Sequence, residues 1–278
     1  MDDVMHRPMR LGVMVTLDDH RDLSDLDVDF FELLVRERDT ASEVERFLDR
    51  TDREMLLHAP ERMRVEGELR LIDLAEENPY LREAFIDRIQ EVASIASRYD
   101  TAVVVHPGGV HQHPADPEHL LRNLASSLGS IEGPMWMENM PRRYHLGEEL
   151  WWCSLLKRPE EFDDLLPYLD GVTLDISHAY LSVERGGNTA IASFFEHLRG
   201  HIRHVHLSDA AQPHREGMQL GTGDVDLSLL PRMKGLPVLL EVWGGHLDQG
   251  RGFREALRLA RTAEGWFKGC IATPPGPP

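Results

Sequence analysis

Short apolar runs rich in β-forming residues alternate along this chain with stretches whose apolar residues recur at helical spacing. The strand-like runs cover residues 11–16, 28–35, 55–58, 102–106, 135–138, 171–175, 202–206 and 237–241. Between them, Thr40-Ala-Ser-Glu43 has the capping-box pattern, in which hydroxyl and carboxylate satisfy each other's orphan amides, and Val44, Phe47 and Leu48 follow on one face. Asn78-Pro79 opens a longer helix, since Asn caps the first amides, Pro presets φ, and Leu81, Phe85, Ile89, Val92 and Ala96 line one side. Asp116-Pro117 repeats the device before Leu120, Leu121, Leu124 and Leu128. Further helices are predicted around Phe162, Leu165, Leu166 and Leu169, after an Asn188 cap with Ile191, Phe194, Phe195 and Leu198, over 227–233, and around Phe253, Leu257 and Ala260. Two connections are long: the polar stretch 59–78, expected to be an irregular lid over a site, and 139–157, which carries Trp151-Trp152.

Eight strand–helix alternations without an obvious linker predict a single-domain α/β fold, a (β/α)8 TIM barrel over residues 1–272, followed by a Pro-rich tail at 273–278. A doubly wound open sheet is the other candidate, but residues 11–20 hold no GxGxxG turn after the first strand.

Composition narrows the partners. The formal charge of −18, from 48 acidic against 30 basic side chains, disfavours a broad phosphate-binding surface and with it nucleic acid, although a local cationic channel could coexist with an acidic exterior. Two cysteines, Cys153 and Cys270, form neither a disulfide framework nor a CxxC pair, which fits a reducing, cytoplasmic setting. No signal pattern opens the chain and no window approaches the roughly 20 apolar residues of a membrane span.

The chemistry lies in how the strands end. His58, His106, Glu138, Asp175, His206 and Glu241 each close an apolar run, and in Gly171-Val-Thr-Leu-Asp-Ile-Ser-His178 a second candidate, His178, follows three residues after Asp175, where the strand is expected to give way to a loop. In a barrel those ends form the active-site face. A lone histidine at a strand end is more often a hydrogen-bonded structural residue than a ligand. Six such ends are different: imidazoles and carboxylates converging in one cavity need a cation to offset burial, and N/O donors without thiolate suit Zn²⁺ or Mn²⁺.

Taken together, Leu57-His-Ala-Pro60, Val105-His-Pro-Gly108, Glu138-Asn139, Leu174-Asp-Ile-Ser-His178, His206-Leu-Ser-Asp209, Leu220-Gly-Thr-Gly-Asp224 and Leu240-Glu241 resemble the xylose isomerase-like barrel superfamily, which holds sugar and sugar-phosphate isomerases and epimerases and also endonuclease IV. The resemblance implies a four-ligand metal site at Glu138, Asp175, His206 and Glu241. It also implies His58 and His106 as ligands of a further ion bridged by Glu138, and His178 as a third-ion ligand or a substrate contact, so one to three ions in all. The endonuclease branch completes its third site with an Asp-x-His pair just before Gly-x-Gly. Here the segment is Pro213-His-Arg-Glu-Gly-Met-Gln-Leu220, with His214 displaced and no such pair, which argues against a complete three-metal phosphodiester site.

Two activities follow as expectations. The preferred one is a metal-dependent isomerase or epimerase of a small carbohydrate, sugar or sugar phosphate, with Glu138 and Glu241 exchanging a proton through an enediol. The alternative is metal-dependent hydrolysis of abasic DNA. Asp209, His214 and Trp152 join His178 as candidate substrate contacts; Asp209 reads equally as a ligand support or a third-ion ligand, and the blander role of Trp151-Trp152 is loop packing. Arg142, Arg143 and the amides of Gly221-Thr-Gly223 are the candidate phosphate holders, against solvated charges and a tight turn. Glu32 interrupts an apolar run and is expected to meet a substrate hydroxyl or a ligand histidine, and His204 to sit inside the barrel below the metal.

Overall fold

The computed structural model describes residues 9–270, with side chains to residue 262; the Pro-rich tail lies outside the described residues. Eight parallel strands close into a barrel: β1 (Arg10–Val15), β2 (Phe30–Leu34), β3 (Glu54–His58), β4 (Val103–Val105), β5 (Met135–Glu138), β6 (Gly171–Asp175), β7 (Ile202–Leu207) and β8 (Pro237–Leu240). Closure is made by β1 against β8, with Arg10 opposite Pro237 and Val13 opposite Leu240. The strands read as nearly continuous apolar runs because both faces are covered, one by helices and one by the barrel interior.

Inward positions alternate along each strand with period two, and they form layers. Near the N-terminal ends, Phe30, Leu56, Ala102 and Leu239 pack with Met14 and Trp136 as an apolar plug separate from the outer core. Gly12 is required there, since a Cβ would lie 2.5 Å from the Phe30 ring. One step up, at spacing i+2, the same strands present Glu32, His58, Glu138 and Glu241, while β6 and β7 present Asp175 and His206. The layer that would be a second plug is polar, and it faces the C-terminal mouth.

The expected caps form. The Glu43 carboxylate accepts the Thr40 amide at 3.0 Å before helix α1 (Ala41–Leu48). Asn78 Oδ1 accepts from Tyr80 at 3.0 Å before α2 (Pro79–Arg98), and Asp116 accepts from Glu118 at 3.0 Å before α3 (Pro117–Leu128).

Several local expectations give way. Stretch 59–78 holds an antiparallel hairpin, Arg62–Val65 with Glu68–Leu71. Connection 139–157 folds as Arg143–Leu146 against Glu149–Cys153, and Val110–His111 adds to form a three-stranded sheet. The chain around Phe162 forms two 3-10 turns, Pro159–Phe162 and Leu166–Tyr168, where Pro167 would break a longer α-helix. Residues Leu227–Met233 are likewise 3-10, with Pro231 inside. The stretch after β6 is helix α4 (Ile176–Leu181) rather than loop. Asn188 does not cap its helix: α5 (Gly187–His197) starts after Gly186, and the Asn188 side chain bridges the Asp224 carbonyl and the Asp226 amide instead. The last helix region, Leu247–Cys270, kinks at Asp248–Gly250, where φ is positive.

Candidate metal centre

Glu138 sits at the middle of the mouth, 1% exposed. Its Oε2 lies 3.2 Å from His106 Nε2, 3.4 Å from His206 Nδ1 and 3.7 Å from His58 Nε2, and its Oε1 lies 3.0 Å from His178 Nδ1. His206 Nδ1 is also 3.1 Å from Glu241 Oε2. Glu138, Asp175, His206 and Glu241 each offer one donor atom within 4.8 Å of all the others, and His58, Glu138 and His206 form a second such group. Six strand ends and the His178 turn therefore meet in one small volume.

Local structure aims each group. Asp175 is the N-cap of α4: its Oδ1 accepts the His178 amide at 2.6 Å and the Ser177 hydroxyl at 2.9 Å, which leaves Oδ2 buried and unpartnered. That cap also swings His178 over the cluster on the first turn of the helix. Asn139, directly after Glu138, clamps β5 to β6 by accepting the Asp175 amide at 2.8 Å and donating Nδ2 to the Asp175 carbonyl at 3.0 Å. His58 donates Nδ1–H to the Ala59 carbonyl at 2.8 Å, which turns its Nε2 toward Glu138.

Beneath, Glu32 lies between two histidines: Oε2 accepts from His204 Nε2 at 2.7 Å, and Oε1 lies 3.1 Å from His206 Nε2, a contact without hydrogen-bond geometry. All three side chains are sealed from solvent. Glu32 thus orients the His206 ring so that Nδ1 faces the cluster, the usual arrangement behind a metal-binding imidazole.

Burial would raise the Glu32 carboxyl, but the neighbouring charges of His206 and His204 hold it below the ordinary carboxylate range. Glu138 and Glu241 follow the same rule, with His106 and His206 overriding burial for the first and His206 for the second. For Asp175 burial wins over His178, and with Glu241 and Glu138 nearby the acid is pushed up to about 7. Burial would lower the histidines, yet the carboxylates reverse it: His58 rises to about 9 through Glu138 and Glu32, and His178 and His206 lie well above the usual imidazole value. Protons hold this cluster together where a cation is the natural alternative. Both Glu138 oxygens, Asp175 Oδ2 and His206 Nδ1 are buried with no hydrogen-bond partner of good geometry. Orphaned polar atoms of this kind are rare and costly, and these converge, so the donor set fits a divalent ion with oxygen and imidazole ligands.

The remaining candidates fall elsewhere. Asp209 is fully buried and does not line the mouth cavity, its oxygens taken by the amides of Ala210, Gly221, Gly223 and Val225 at 2.8–3.1 Å. Trp152 stacks under the Arg143 guanidinium, 3.2 Å from the ring centroid, on the outer sheet. His214 lies in the hairpin loop after β7, its carbonyl receiving His145 Nε2 at 2.8 Å. Neither Trp152 nor His214 lines the mouth cavity.

That cavity holds about 210 Å³ and brings in residues that strand patterning does not reach: Glu61, Tyr144, His145, Glu216 and Trp243, beside His106, Asp175, His178 and Glu241. Glu216 comes from the hairpin Asp209–Ala211 with Arg215–Met218; its Oε2 is 3.5 Å from His178 Nε2, and burial pushes its carboxyl up to about 8 against the pull of His178. Trp243 lies two residues past Glu241 with its indole over Gly217, whose φ of +62° and missing Cβ make room for the ring. The signal for Trp243 was its closeness to a strand-end ligand; Glu216 sits in the very segment where the Asp-x-His pair is missing.

A family model described as xylose isomerase-like TIM barrel matches residues 21–263. None of the curated proteins matches the chain by sequence. Among solved structures, a D-tagatose 3-epimerase-like protein superposes with a TM-score of 0.70 at 20% identity, covering 95% of this chain and 100% of its own. Endonuclease IV from Thermus thermophilus superposes with a TM-score of 0.61 at 18% identity, covering 94% and 99%. The IOLI protein, whose structure holds a zinc atom, gives 0.58 at 13%, covering 93% and 99%. With most of its length matched by that model and its eight strands closed into this barrel, the chain belongs to the xylose isomerase-like TIM barrel family.

Proposed function

We propose that this protein is a divalent-metal-dependent isomerase or epimerase of a small carbohydrate, sugar or sugar phosphate, using zinc or manganese. The observation that carries the proposal is the set of unpartnered Glu138, Asp175 and His206 atoms gathered with Glu241 at the barrel mouth. Glu138, Asp175, His206 and Glu241 hold the ion. When bound, it polarises a carbonyl and the adjacent hydroxyl and so acidifies the intervening C–H.

The protein's own groups do the rest. Glu138 and Glu241, on non-adjacent strands, take the proton from one carbon and return it, passing through an enediol. His178, held by Asp175 through its amide and beside Glu138, orients a substrate oxygen. The sealed layer of Glu32 and His204 keeps water out from below and fixes His206. The epimerase named among the structural relatives is consistent with this chemistry.

One observation favours a second activity. His58 and His106 both reach Glu138, as a further ion would need for hydrolysis of abasic DNA. Against it, the cavity is lined by Glu61, Asp175, Glu216 and Glu241 and, among the described residues, by no lysine or arginine. A DNA backbone would meet repulsion there.

Incubation in D₂O with a panel of ketoses and ketose phosphates, beside a duplex carrying one abasic site, separates the two. Deuterium entering the carbon next to the carbonyl is the expected result. Strand nicking without deuterium exchange would replace the isomerase proposal by the hydrolase.

A further inference from the structure

Resting on the sugar-isomerase proposal, we infer that the site takes an uncharged polyhydroxy carbonyl compound and excludes its phosphate ester, with Glu216 and Glu61 as the specificity-determining residues. None of the phosphate holders the sequence offers lines the cavity. Arg142 pairs with Glu184 at 2.7 Å. Arg143 lies flat on Trp152. The Gly221 and Gly223 amides, which could cradle an anion, both donate to Asp209 Oδ2 at 2.9 Å.

The imidazoles of the cavity are engaged, His106 and His178 with Glu138 and His145 with the His214 carbonyl, and what the cavity offers beyond them is carboxylate and an aromatic face. Three carboxylates, Glu138, Asp175 and Glu241, already gather at the ion site. Glu216 then places Oε2, buried and without a hydrogen-bond partner, 3.5 Å from His178 Nε2, and Glu61 lines the same cavity with Tyr144. As a neutral acid Glu216 donates to a sugar hydroxyl; ionised, it accepts from one and repels phosphate. Neither form supplies the fixed positive charge that would offset the desolvation of a phosphate dianion. Trp243, 56% exposed at the rim, presents an indole face suited to the C–H surface of a sugar.

The test uses the full-length protein loaded with Mn²⁺, reading water-proton relaxation as D-fructose, D-tagatose, D-psicose or their terminal phosphate esters displace water near the ion. At least one free ketose is expected to bind, with its ester weaker by at least about tenfold because a dianion is brought against desolvated carboxylates. In the Glu61→Gln/Glu216→Gln variant, with Mn²⁺ stoichiometry and melting temperature checked as unchanged, that gap should narrow by at least about threefold. An ester that binds wild type as tightly as its ketose overturns the inference, as does an unchanged gap in the variant. Failure to take up Mn²⁺ at all would instead sink the metal-dependent proposal on which this rests.

Discussion

Two carboxylates, Glu138 and Asp209, are equally removed from solvent, at 1% and 0% exposure, and do opposite things. Asp209 is surrounded by backbone: four amides converge on it and fasten the Gly221-Thr-Gly223 turn to the end of β7. Glu138 is surrounded by imidazoles, and neither of its oxygens has a well-formed hydrogen bond. A buried charge satisfied by fixed backbone dipoles is part of the scaffold. One faced only by groups that can release protons waits for a cation.

The largest effect that should separate them is on turnover. Glu138→Gln or Glu241→Gln is expected to cut the rate about 10²–10⁴-fold, the usual worth of a positioned acid–base group, seen in the deuterium exchange assay. Asp209→Ala should retain metal stoichiometry but leave buried amides unpaired, lowering stability by about 2–4 kcal/mol in urea unfolding. Glu32→Gln lies between the two kinds: it touches no substrate, yet by loosening His206 it should weaken Zn²⁺ or Mn²⁺ about 10–100-fold in a competition titration, and by leaving His204 without its carboxylate it should lower the metal-free melting temperature as well.

A pH series sharpens the same contrast. Asp175 at about 7, Glu216 at about 8 and His58 at about 9 hold their protons more tightly in the folded chain than their ordinary values of 3.8, 4.5 and 6.5. The folded state therefore binds more protons than the unfolded one, and its stability falls as pH rises between 6.5 and about 9. Glu32, Glu138 and Glu241, held low, titrate in acid and do not offset this window. Metal-free protein should melt lower at pH 9 than at pH 6.5, and loading with metal, which replaces the Asp175 proton, should flatten the slope. The smallest effect belongs to Trp152→Ala, which removes a stack on Arg143 outside the cavity and should change turnover by less than about threefold.

The barrel was legible because each strand is covered on both faces and reads as an apolar run, and because period two puts an inward residue at its end. His58, Glu138, Asp175, His206 and Glu241 follow from that rule alone. Glu216, Tyr144, Glu61 and Trp243 do not, since they reach the cavity from hairpins and turns whose position depends on tertiary packing. Stretch 59–78 reads as irregular for a related reason: Arg62–Val65 and Glu68–Leu71 are mixed in charge and half-exposed, so neither strand shows the alternation of a buried sheet. Asn188 and Asp209 mislead differently. Both are residue types that cap or ligate, and both spend that capacity on backbone groups distant in sequence.

Metal content after equilibrium dialysis against Zn²⁺ or Mn²⁺ tests the central claim most directly, with wild type, Glu138→Gln and Asp209→Ala run side by side. Wild type and Asp209→Ala are expected to retain at least one ion per chain and Glu138→Gln to lose it. A wild-type chain that binds no ion, or a Glu138→Gln chain that binds as well as wild type, would contradict the account.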